Sequence, residues 1–446
     1  MTRTFNLFYM NTSIKYYIVP KDVNLESLKT ESDKKFLIRD MSAITTLLYN
    51  GSWKNYMYKE HDLEEDQQGL NNHYVEIPSH VFEKQVNSRY YVGLTKLIES
   101  NVINSSDSYK VGEYAISYTF SDINYWTNFD LIANPKYQEP IFDLNDIYGF
   151  LSSLFNPDDL TVDIEAANQA ISKERDLRKR GYRQLSIMKF AVGDYYLKKD
   201  KYGRFYSNFT NIPSNYRKFL TYKNESLKGI DLPNAQPLLL LIILKTLQKE
   251  RTFRLINDAC DILNDIDESG ESVDFLEELV VTGKFYGFIV DRLIDLQLNN
   301  FENEDRNKFI KKVKIEVLKW INAKKRLSDD FRPYIDKIIE ENFKPLHTLI
   351  WAIKSVKNTP EPMISPSGKK SKKKPHANAA KVLQTMESEI IIQGICVGIR
   401  RIVPEIKLFT IHDCIYTTES NYTTLCDYAD NYMKVNHDVQ VNFHKD

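Results

Sequence analysis

The sequence predicts an α+β fold in which a small antiparallel sheet is surrounded by helices. A strand-like segment, ESLKGI, leads directly to Asp231. Two apolar strand-like runs flank Asp413 in LFTIHDCIYTT, as in a hairpin. Between them, residues 245–355 have mostly helical periodicity. Strands and helices that occur in separate blocks are typical of the α+β class.

Composition and charge limit the possible functions. The chain has 446 residues, enough for two or three domains, and its 42% hydrophobic and 27% charged residues are typical of a globular protein. The 60 basic residues are matched by 61 acidic ones. If the chain binds nucleic acid, its basic side chains must therefore be concentrated on one surface.

The cysteines and apolar runs indicate an intracellular setting. Four cysteines lie far apart, with no CxxC or Cys/His cluster, so neither a zinc site nor a disulfide framework is expected. The longest apolar run, Leu238–Leu244, is far shorter than the roughly 20 residues of a membrane span. We therefore expect a cytoplasmic protein without membrane contact, and the oligomeric state stays open.

The N-terminal part divides into a mixed segment (1–70), a module (71–125) and a connector with a long basic helix (126–199). The module predicts two helices followed by a β-hairpin, an order that resembles a winged helix. Such modules bind duplex nucleic acid or other proteins, and both interpretations stay open. The long helix, Leu160 to about Arg183, ends in the basic run KERDLRKRGYR, which predicts either a solvated face or phosphate contact.

Residues 200–446 contain the candidate chemistry. Nucleotide transfer needs two divalent cations about 4 Å apart, and Mg²⁺ prefers carboxylates from converging elements. Asp231 and Asp413 occupy suitable strand ends. The helix EDRNKFIKKVKIEVLKW lies between them in sequence, where Lys308, Lys311 and Lys312 can share one face and neutralise phosphate charge.

Each of these residues alone also has a simpler explanation. An Asp after a strand is commonly a helix N-cap, and a His-Asp pair in a turn is commonly turn chemistry. The occurrence of both, in order and on either side of a basic helix, favours a shared site.

The order and types of these residues resemble the family A DNA polymerases and the related phage-type single-subunit RNA polymerases. The first motif of that group, a strand-borne Asp with Gln or Glu nearby, corresponds to Asp231 with Gln236. The second, a helix with Arg or Lys, corresponds best to Arg306–Lys319, and the third, a His-Asp hairpin, to His412-Asp413.

The resemblance covers roughly residues 200–446. It implies a right-hand polymerase with a small antiparallel palm sheet, helical fingers over about 245–355 and a thumb-like segment within 126–199. It implies that Asp231 and Asp413 hold two Mg²⁺ or Mn²⁺ ions. The implied nucleotide-binding residues are Gln236, Arg306, Lys308, Lys311 and Lys312, and the implied nucleic-acid-binding residues are Arg204, Arg217, Gln384 and His412.

The chain also departs from the pattern of the family. Cys414 follows Asp413 where family A usually has Glu, although the phage RNA polymerases have Ser there. The second motif lacks its customary Tyr-Gly ending. Gln236 is bulky, which favours deoxynucleotides. No acidic set typical of an exonuclease precedes residue 200, so proofreading is not expected.

We therefore expect a small template-dependent DNA polymerase without proofreading. Its partners would be nucleoside triphosphates and a DNA primer–template or DNA/RNA hybrid, and its compact size suggests a phage or mobile element. One alternative is an RNA polymerase or primase of the same fold, and another is a terminal transferase that needs no template. A third, from another class, is a non-catalytic winged-helix replication initiator or regulator.

Overall fold

A computed structural model describes residues 15–29, 37–59, 74–106, 115–134, 146–256, 258–296, 306–322, 332–355 and 378–445. The chain forms two compact units. The first contains Met1–Phe142, Phe155–Tyr196 and Asn211–Leu220, and the second contains Asp143–Leu154, Leu197–Thr210 and Thr221–Asp446. Mixed helices and antiparallel sheets confirm the predicted α+β class. The predicted division into four consecutive segments stays a prediction.

The elements up to residue 191 are named in chain order. They are β1 (Tyr16–Pro20), α1 (Leu37–Lys59), β2 (Val75–Glu76), α2 (Ser79–Gln85), α3 (Tyr90–Glu99), β3 (Ile103–Ser105), β4 (Ser117–Phe120), a 3₁₀ turn (Ile123–Trp126), β5 (Phe129–Ala133), α4 (Ile147–Ser153), β6 (Leu160–Val162), α5 (Ile164–Ser172) and α6 (Leu177–Ala191).

The elements that follow include most of the second unit. They are β7 (Lys198–Lys199), β8 (Phe205–Tyr206), α7 (Asn208–Asn211), α8 (Ser214–Arg217), β9 (Leu220–Tyr222), β10 (Glu225–Asp231), α9 (Ala235–Glu250), α10 (Cys260–Glu268), α11 (Gly270–Val281), α12 (Phe285–Asp295), α13 (Arg306–Asn322), α14 (Arg332–Asn342), α15 (Lys344–Lys354), α16 (Asn378–Ser388), a π-helical segment (Glu389–Cys396), α17 (Val397–Ile402), β11 (Phe409–Ile411), β12 (Cys414–Thr418), a 3₁₀ turn (Glu419–Asn421), α18 (Tyr422–His437) and β13 (His444–Lys445).

The first unit has a core formed by α1, α3 and two small sheets. β1 pairs with β5, and three antiparallel strands are arranged in the order β2-β4-β3. α3 packs closely on α1 because Gly93 has no side chain: a Cβ there would lie 3.3 Å from Ile44 and Met41. The predicted order of two helices and two strands is present, and the tip between the strands, 107–114, lies outside the described residues.

The prediction of one long helix over residues 160–183 is wrong. The structure has β6, α5 and α6 there. Asp163 begins α5 by accepting a hydrogen bond at its N-terminus. Arg180 of α6 then donates to the carbonyl oxygens of Ser172 and Glu174, where α5 has ended. The chain therefore turns between two helices, and Arg180 stabilises that turn.

The second unit contains an antiparallel sheet in the order β11-β12-β10-β9, with β13 also paired to β10. β9 and β10 are joined by Lys223 and Asn224, which both have positive φ angles, as two-residue hairpins of this kind require. The Leu-rich α9 follows β10 directly and is buried on nearly all sides. Pro237 is tolerated because it lies in the first turn of α9.

A continuous helix, Asn378–Ile402, combines α16, the π-helical segment and α17. A Cβ at Gly394 or Gly398 would overlap the rings of Tyr432 and Tyr428, so α18 packs directly on this helix. Among the described residues it is the one helix long and apolar enough to cross a membrane, judged by length and composition. A helix in the core of a globular protein meets the same criterion, and 56% of the most apolar window of this helix is buried inside the protein.

Candidate functional site

Asp231 and Asp413 lie next to each other at one end of the paired strands β10 and β12 in the second unit. Asp231 ends β10 and is paired with Cys414, the first residue of β12. The backbone N–H of Leu232 donates to the carbonyl oxygen of Asp413 at 3.1 Å. The two aspartates therefore occupy adjacent positions along one antiparallel ladder, although 182 positions separate them in sequence. The backbones of the two residues predicted as metal ligands are thus adjacent, and their role as ligands stays a prediction.

Asp413 lies in a two-residue turn between β11 and β12. The preceding residue, His412, has a φ of 52°, which few residues other than glycine adopt. Burial raises the pKa of the Asp413 carboxyl, and the charges of Lys314 and Arg204 oppose that rise. Burial also raises the pKa of the Tyr286 phenol, to which the charge of Asp413 contributes. The Lys314 ammonium lies 5.8 Å from the Tyr286 ring centroid.

A second carboxylate, Glu387, lies near Asp413. Nη2 of Arg204 donates to Oε2 of Glu387 at 2.7 Å. Burial raises the pKa of Glu387 to about 7, Arg204 opposes this, and the charges of Asp413 and Asp200 add to it. Among the described residues, Oε1 of Glu387 and Nε of Arg204 are buried without a hydrogen-bond partner.

The orientation of α13 shows which of its cations face Asp413. Helical geometry of about 100° per residue places Lys311 roughly 60° from Lys314, but Lys308 roughly 120° and Lys312 roughly 160° from it. All four are exposed. Arg306 forms a two-pronged ion pair with Asp291, at 2.6 and 3.0 Å. Lys314, which the sequence pattern did not single out, is thus the α13 cation whose charge acts on Asp413.

The start of α9 and the end of α13 meet through two amides. Nδ2 of Asn322 donates to Oε1 of Gln236 at 3.3 Å, and also to the carbonyl oxygen of Leu318 at 2.8 Å. Gln236 lies five residues after Asp231. α13 therefore contacts α9, the helix that follows Asp231, through Gln236, and the charge of its Lys314 acts on Asp413.

Three predicted nucleic-acid contacts are also in the second unit. The ring of His412 meets Tyr206 edge-on at 5.4 Å, and Tyr206 follows Arg204 by two residues. Gln384 precedes Glu387 by three residues on α16, which places both on one side of that helix. Arg217, the fourth, belongs to the first unit, where its Nε donates to the carbonyl oxygen of Ile212.

The donor atoms of this cluster fit a hard divalent cation. Carboxylate oxygens are the ligands that Mg²⁺ prefers, and the burial of Asp413 and the unsatisfied Oε1 of Glu387 both favour a positive charge nearby. Among the described residues, however, no three His, Cys, Asp or Glu side chains are grouped closely enough to hold a metal ion. Water or phosphate oxygens would therefore complete the coordination, as is usual for Mg²⁺.

Comparison with known proteins leaves the family open. No family model matches the chain, and no curated protein matches it. One solved structure that resembles it is the POL domain of Pol1 from M. smegmatis, in complex with DNA primer-template and dNTP. The identity is 12%, the TM-score is 0.39, and the match covers 64% of this chain and 55% of that one.

Proposed function

We propose that the second unit is a nucleotidyltransferase that adds nucleotides to a 3′-hydroxyl, as a small template-dependent DNA polymerase. One observation supports this most strongly: Asp231 ends β10 beside Asp413, which immediately precedes β12, and Lys314 of a separate helix acts on Asp413. Two carboxylates and a facing cation are what an in-line phosphoryl displacement needs.

Asp231 and Asp413 would hold two Mg²⁺ or Mn²⁺ ions, which when bound would stabilise the attacking oxygen and the leaving pyrophosphate. The pairing of β10 with β12 fixes the backbones of both residues, because Asp231 ends β10 and Asp413 immediately precedes β12. Partial burial of Asp413 removes competing water, which strengthens its attraction for a cation. Glu387 would orient Arg204 and add negative charge on the same side.

Lys314 would neutralise the triphosphate. Its ammonium is exposed and sits over the Tyr286 ring, so it can reach a ligand placed at Asp413. Lys311 is the predicted nucleotide-binding cation nearest to that side of α13. Arg306, Lys308 and Lys312 would act at longer range, because they lie roughly 80°, 120° and 160° from Lys314 around the helix.

Arg204, Gln384 and His412 would contact the primer–template. Arg204 offers an unused buried Nε–H, and Gln384 shares a side of α16 with Glu387. Gln236, held by Asn322, would lie near the sugar of the incoming nucleotide. Its bulk favours deoxynucleotides, whereas an RNA polymerase or primase of the same fold would accept a 2′-hydroxyl.

The first unit supports a second candidate function. The order β2-α2-α3-β3-β4, with the sheet order β2-β4-β3, resembles that of a winged helix. Tyr91 on α3 is 58% exposed. A replication initiator or regulator that binds DNA through α3 would need no catalytic carboxylates. Its function would survive substitution of Asp413 and would be lost on substitution of Tyr91.

Primer extension tests the proposal. The purified chain should extend a labelled primer with dNTP and Mg²⁺, and Asp413→Asn should lower the rate by on the order of 10³-fold. Asp438→Asn is the matched control: Asp438 is exposed and has a positive φ that Asn also tolerates. Parallel reactions with NTP and with unprimed template separate the alternative enzymes. No incorporation by the wild type with either metal, or full activity of Asp413→Asn, would refute the proposal.

A further inference from the structure

His347 of α15 lies between a hydrogen-bond donor and a hydrogen-bond acceptor, and the same ring atom faces both. Nε1 of Trp351, one turn later on α15, donates to Nε2 of His347 at 2.8 Å. Oδ1 of Asp336 on α14 lies 3.2 Å from that same Nε2. Oδ1 of Asp336 also accepts a hydrogen bond from Nε1 of Trp320 on α13, at 2.7 Å. Side chains of three helices therefore meet beside one imidazole nitrogen.

A single ring nitrogen cannot satisfy both of its neighbours. An indole N–H can only donate, and an ionised carboxylate can only accept. Without a proton, Nε2 accepts the bond from Trp351 but turns its lone pair toward the Asp336 oxygen. With a proton, Nε2 donates to Asp336 but presents that proton to the Trp351 N–H. The contact with Trp351 is the shorter one in the structure, which is the arrangement of an Nε2 without a proton.

The carboxyl of Asp336 is ionised in the pH range in which a histidine titrates. Burial raises the pKa of this carboxyl, but the contacts with His347 and Trp320 outweigh burial, and the pKa is lowered from its ordinary value. Histidine ordinarily changes charge between about pH 5 and 8. A proton taken up by this pair in that range therefore binds at His347, where it forms a charge-assisted hydrogen bond with Asp336.

The helices packed on α15 bring charges of both signs to this region. The charged side chains are Arg332 and Asp336 of α14, Lys344 and Lys354 of α15, and Asp265 and Glu268 of α10. Asp265 and Glu268 are paired with Lys344. The described parts of α9, α11 and α16 make no ion pair, hydrogen bond or ring contact with His347. Asp336 is therefore the acid that can balance a charge on His347, and the cations Lys354 and Arg332 oppose that charge.

Trp351 and Lys354 connect this nitrogen to α13. The Lys354 ammonium lies 4.5 Å from the ring centroid of Trp351 and donates to the carbonyl oxygen of Trp320. Trp351 is thus held by its bond to His347 and by the cation on its ring. Loss of the first contact leaves the indole held by the second, where α15 meets the helix that carries Lys314.

We propose that His347 is a proton-operated switch at the meeting point of α13, α14 and α15. When one proton from solvent binds at Nε2, the hydrogen bond from Trp351 to Nε2 breaks and one from Nε2 to Asp336 forms. The imidazole becomes positively charged, and the indole N–H of Trp351 is released to water. The exchange reverses when the proton leaves. The switch is independent of the proposed nucleotide transfer, because it uses none of the side chains assigned to that reaction.

The indole N–H signals of the tryptophans test this exchange. The full chain contains four tryptophans, so ¹⁵N-tryptophan labelling gives four indole signals in an NMR spectrum, and Trp351→Phe assigns the signal of Trp351. As the pH falls from about 8 to about 5, the Trp351 indole proton should move upfield and exchange faster with water, because its hydrogen bond to nitrogen is lost. The Trp320 signal should persist, because its carboxylate acceptor remains.

Two variants and a control show which group binds the proton. His347→Gln cannot titrate, yet its amide offers an acceptor to Trp351 and a donor to Asp336, so its Trp351 signal should be independent of pH. Asp336→Asn removes the charge that favours the protonated ring and should move the midpoint of the transition by about one pH unit toward acid. His80→Gln is the matched control, because His80 is exposed on α2 of the first unit, and it should titrate like the wild type.

Two results would overturn the switch. One is a Trp351 signal that keeps its position and its exchange rate over the whole pH range in the wild type. The other is a transition with the wild-type midpoint in His347→Gln, which would assign the proton to another group. If circular dichroism shows that His347→Gln does not fold, Asp336→Asn decides, and an unshifted midpoint in that variant overturns the proposal.

Discussion

Two partly buried aspartates in the second unit, Asp336 and Asp413, have pKa values that are shifted in opposite directions. Burial alone would raise the pKa of Asp336, but contacts with His347 and Trp320 outweigh it, and the pKa is lowered. Nε1 of Trp320 donates to Asp336 at 2.7 Å, and Nε2 of His347 lies 3.2 Å away. For Asp413 burial outweighs the charges of its neighbours, and the pKa is raised.

The difference distinguishes a charge that the protein balances from one that it does not. Asp336 is satisfied by side chains of α13 and α15, so it ties three helices together. Asp413 lies where the protein supplies too little positive charge to balance it. A buried carboxylate that its own protein leaves under-compensated is suited to an external cation.

Replacing each carboxylate with its amide should separate these roles most strongly. Asp413→Asn should lower the incorporation rate by on the order of 10³-fold and leave the free energy of unfolding unchanged or higher, because burial disfavours its charged form. Asp336→Asn should lower the free energy of unfolding by about 2 kcal/mol and keep most activity, because it loses charge-assisted hydrogen bonds. Denaturant unfolding and primer extension measure both. A folded Asp336→Asn protein without activity would contradict this assignment.

A lysine whose charge acts on Asp413, Lys314, and one whose charge interacts with Asp336, Lys354, should also differ in their roles. Lys314→Met should lower kcat/KM for the nucleotide by about 10²-fold, because it removes charge facing the triphosphate, and should change the free energy of unfolding by less than about 0.5 kcal/mol. Lys308→Met, on another side of α13, is the control. Lys354 is buried, donates to the carbonyl oxygen of Trp320 and packs on Trp351. Lys354→Met should leave kcat/KM within roughly twofold. Equal losses in Lys308→Met and Lys314→Met would refute the role of Lys314.

Lys354 should also make stability depend on alkaline pH. Burial lowers the pKa of its ammonium to about 8 from the ordinary value of 10.5. Between these values the unfolded chain binds more protons than the folded one, so the free energy of unfolding should rise with pH. Below pH 8 both states are protonated, and the penalty is constant.

Lys354→Met should remove this rise in the free energy of unfolding with pH, which is on the order of 2 kcal/mol. The free energy of unfolding of the wild type and of Lys354→Met would be measured at pH 7.5 and at pH 10.5. Subtracting the two proteins at each pH removes the contribution of all other titrating groups, so the change in the difference reports on Lys354 alone. An equal difference at the two pH values would show that Lys354 is not desolvated in this way.

The strand ends and turns of the site are predictable from local sequence. β10 ends at Asp231, and β11 and β12 flank Asp413, because apolar strand residues give way there to polar turn residues. No local pattern indicates the π-helical segment Glu389–Cys396.

The residues that complete the site depend on distant contacts. Spacing alone groups Lys308, Lys311 and Lys312, but the burial of Phe309 and Val313 decides how α13 is turned, and this favours Lys314. Glu387 meets Arg204 across 183 positions of sequence, which no local pattern indicates. The break within residues 160–183 likewise depends on Arg180 reaching back to α5.

Asp231 and Asp413 are proposed to hold the same cations. A double-mutant cycle of nucleotide-incorporation rates tests whether the two carboxylates share these ions. If the ions are shared, loss of either carboxylate destroys the site, so Asp231→Asn, Asp413→Asn and the double variant should fall to the same residual rate. Losses that multiply in the double variant, or wild-type activity in either single variant, would contradict it.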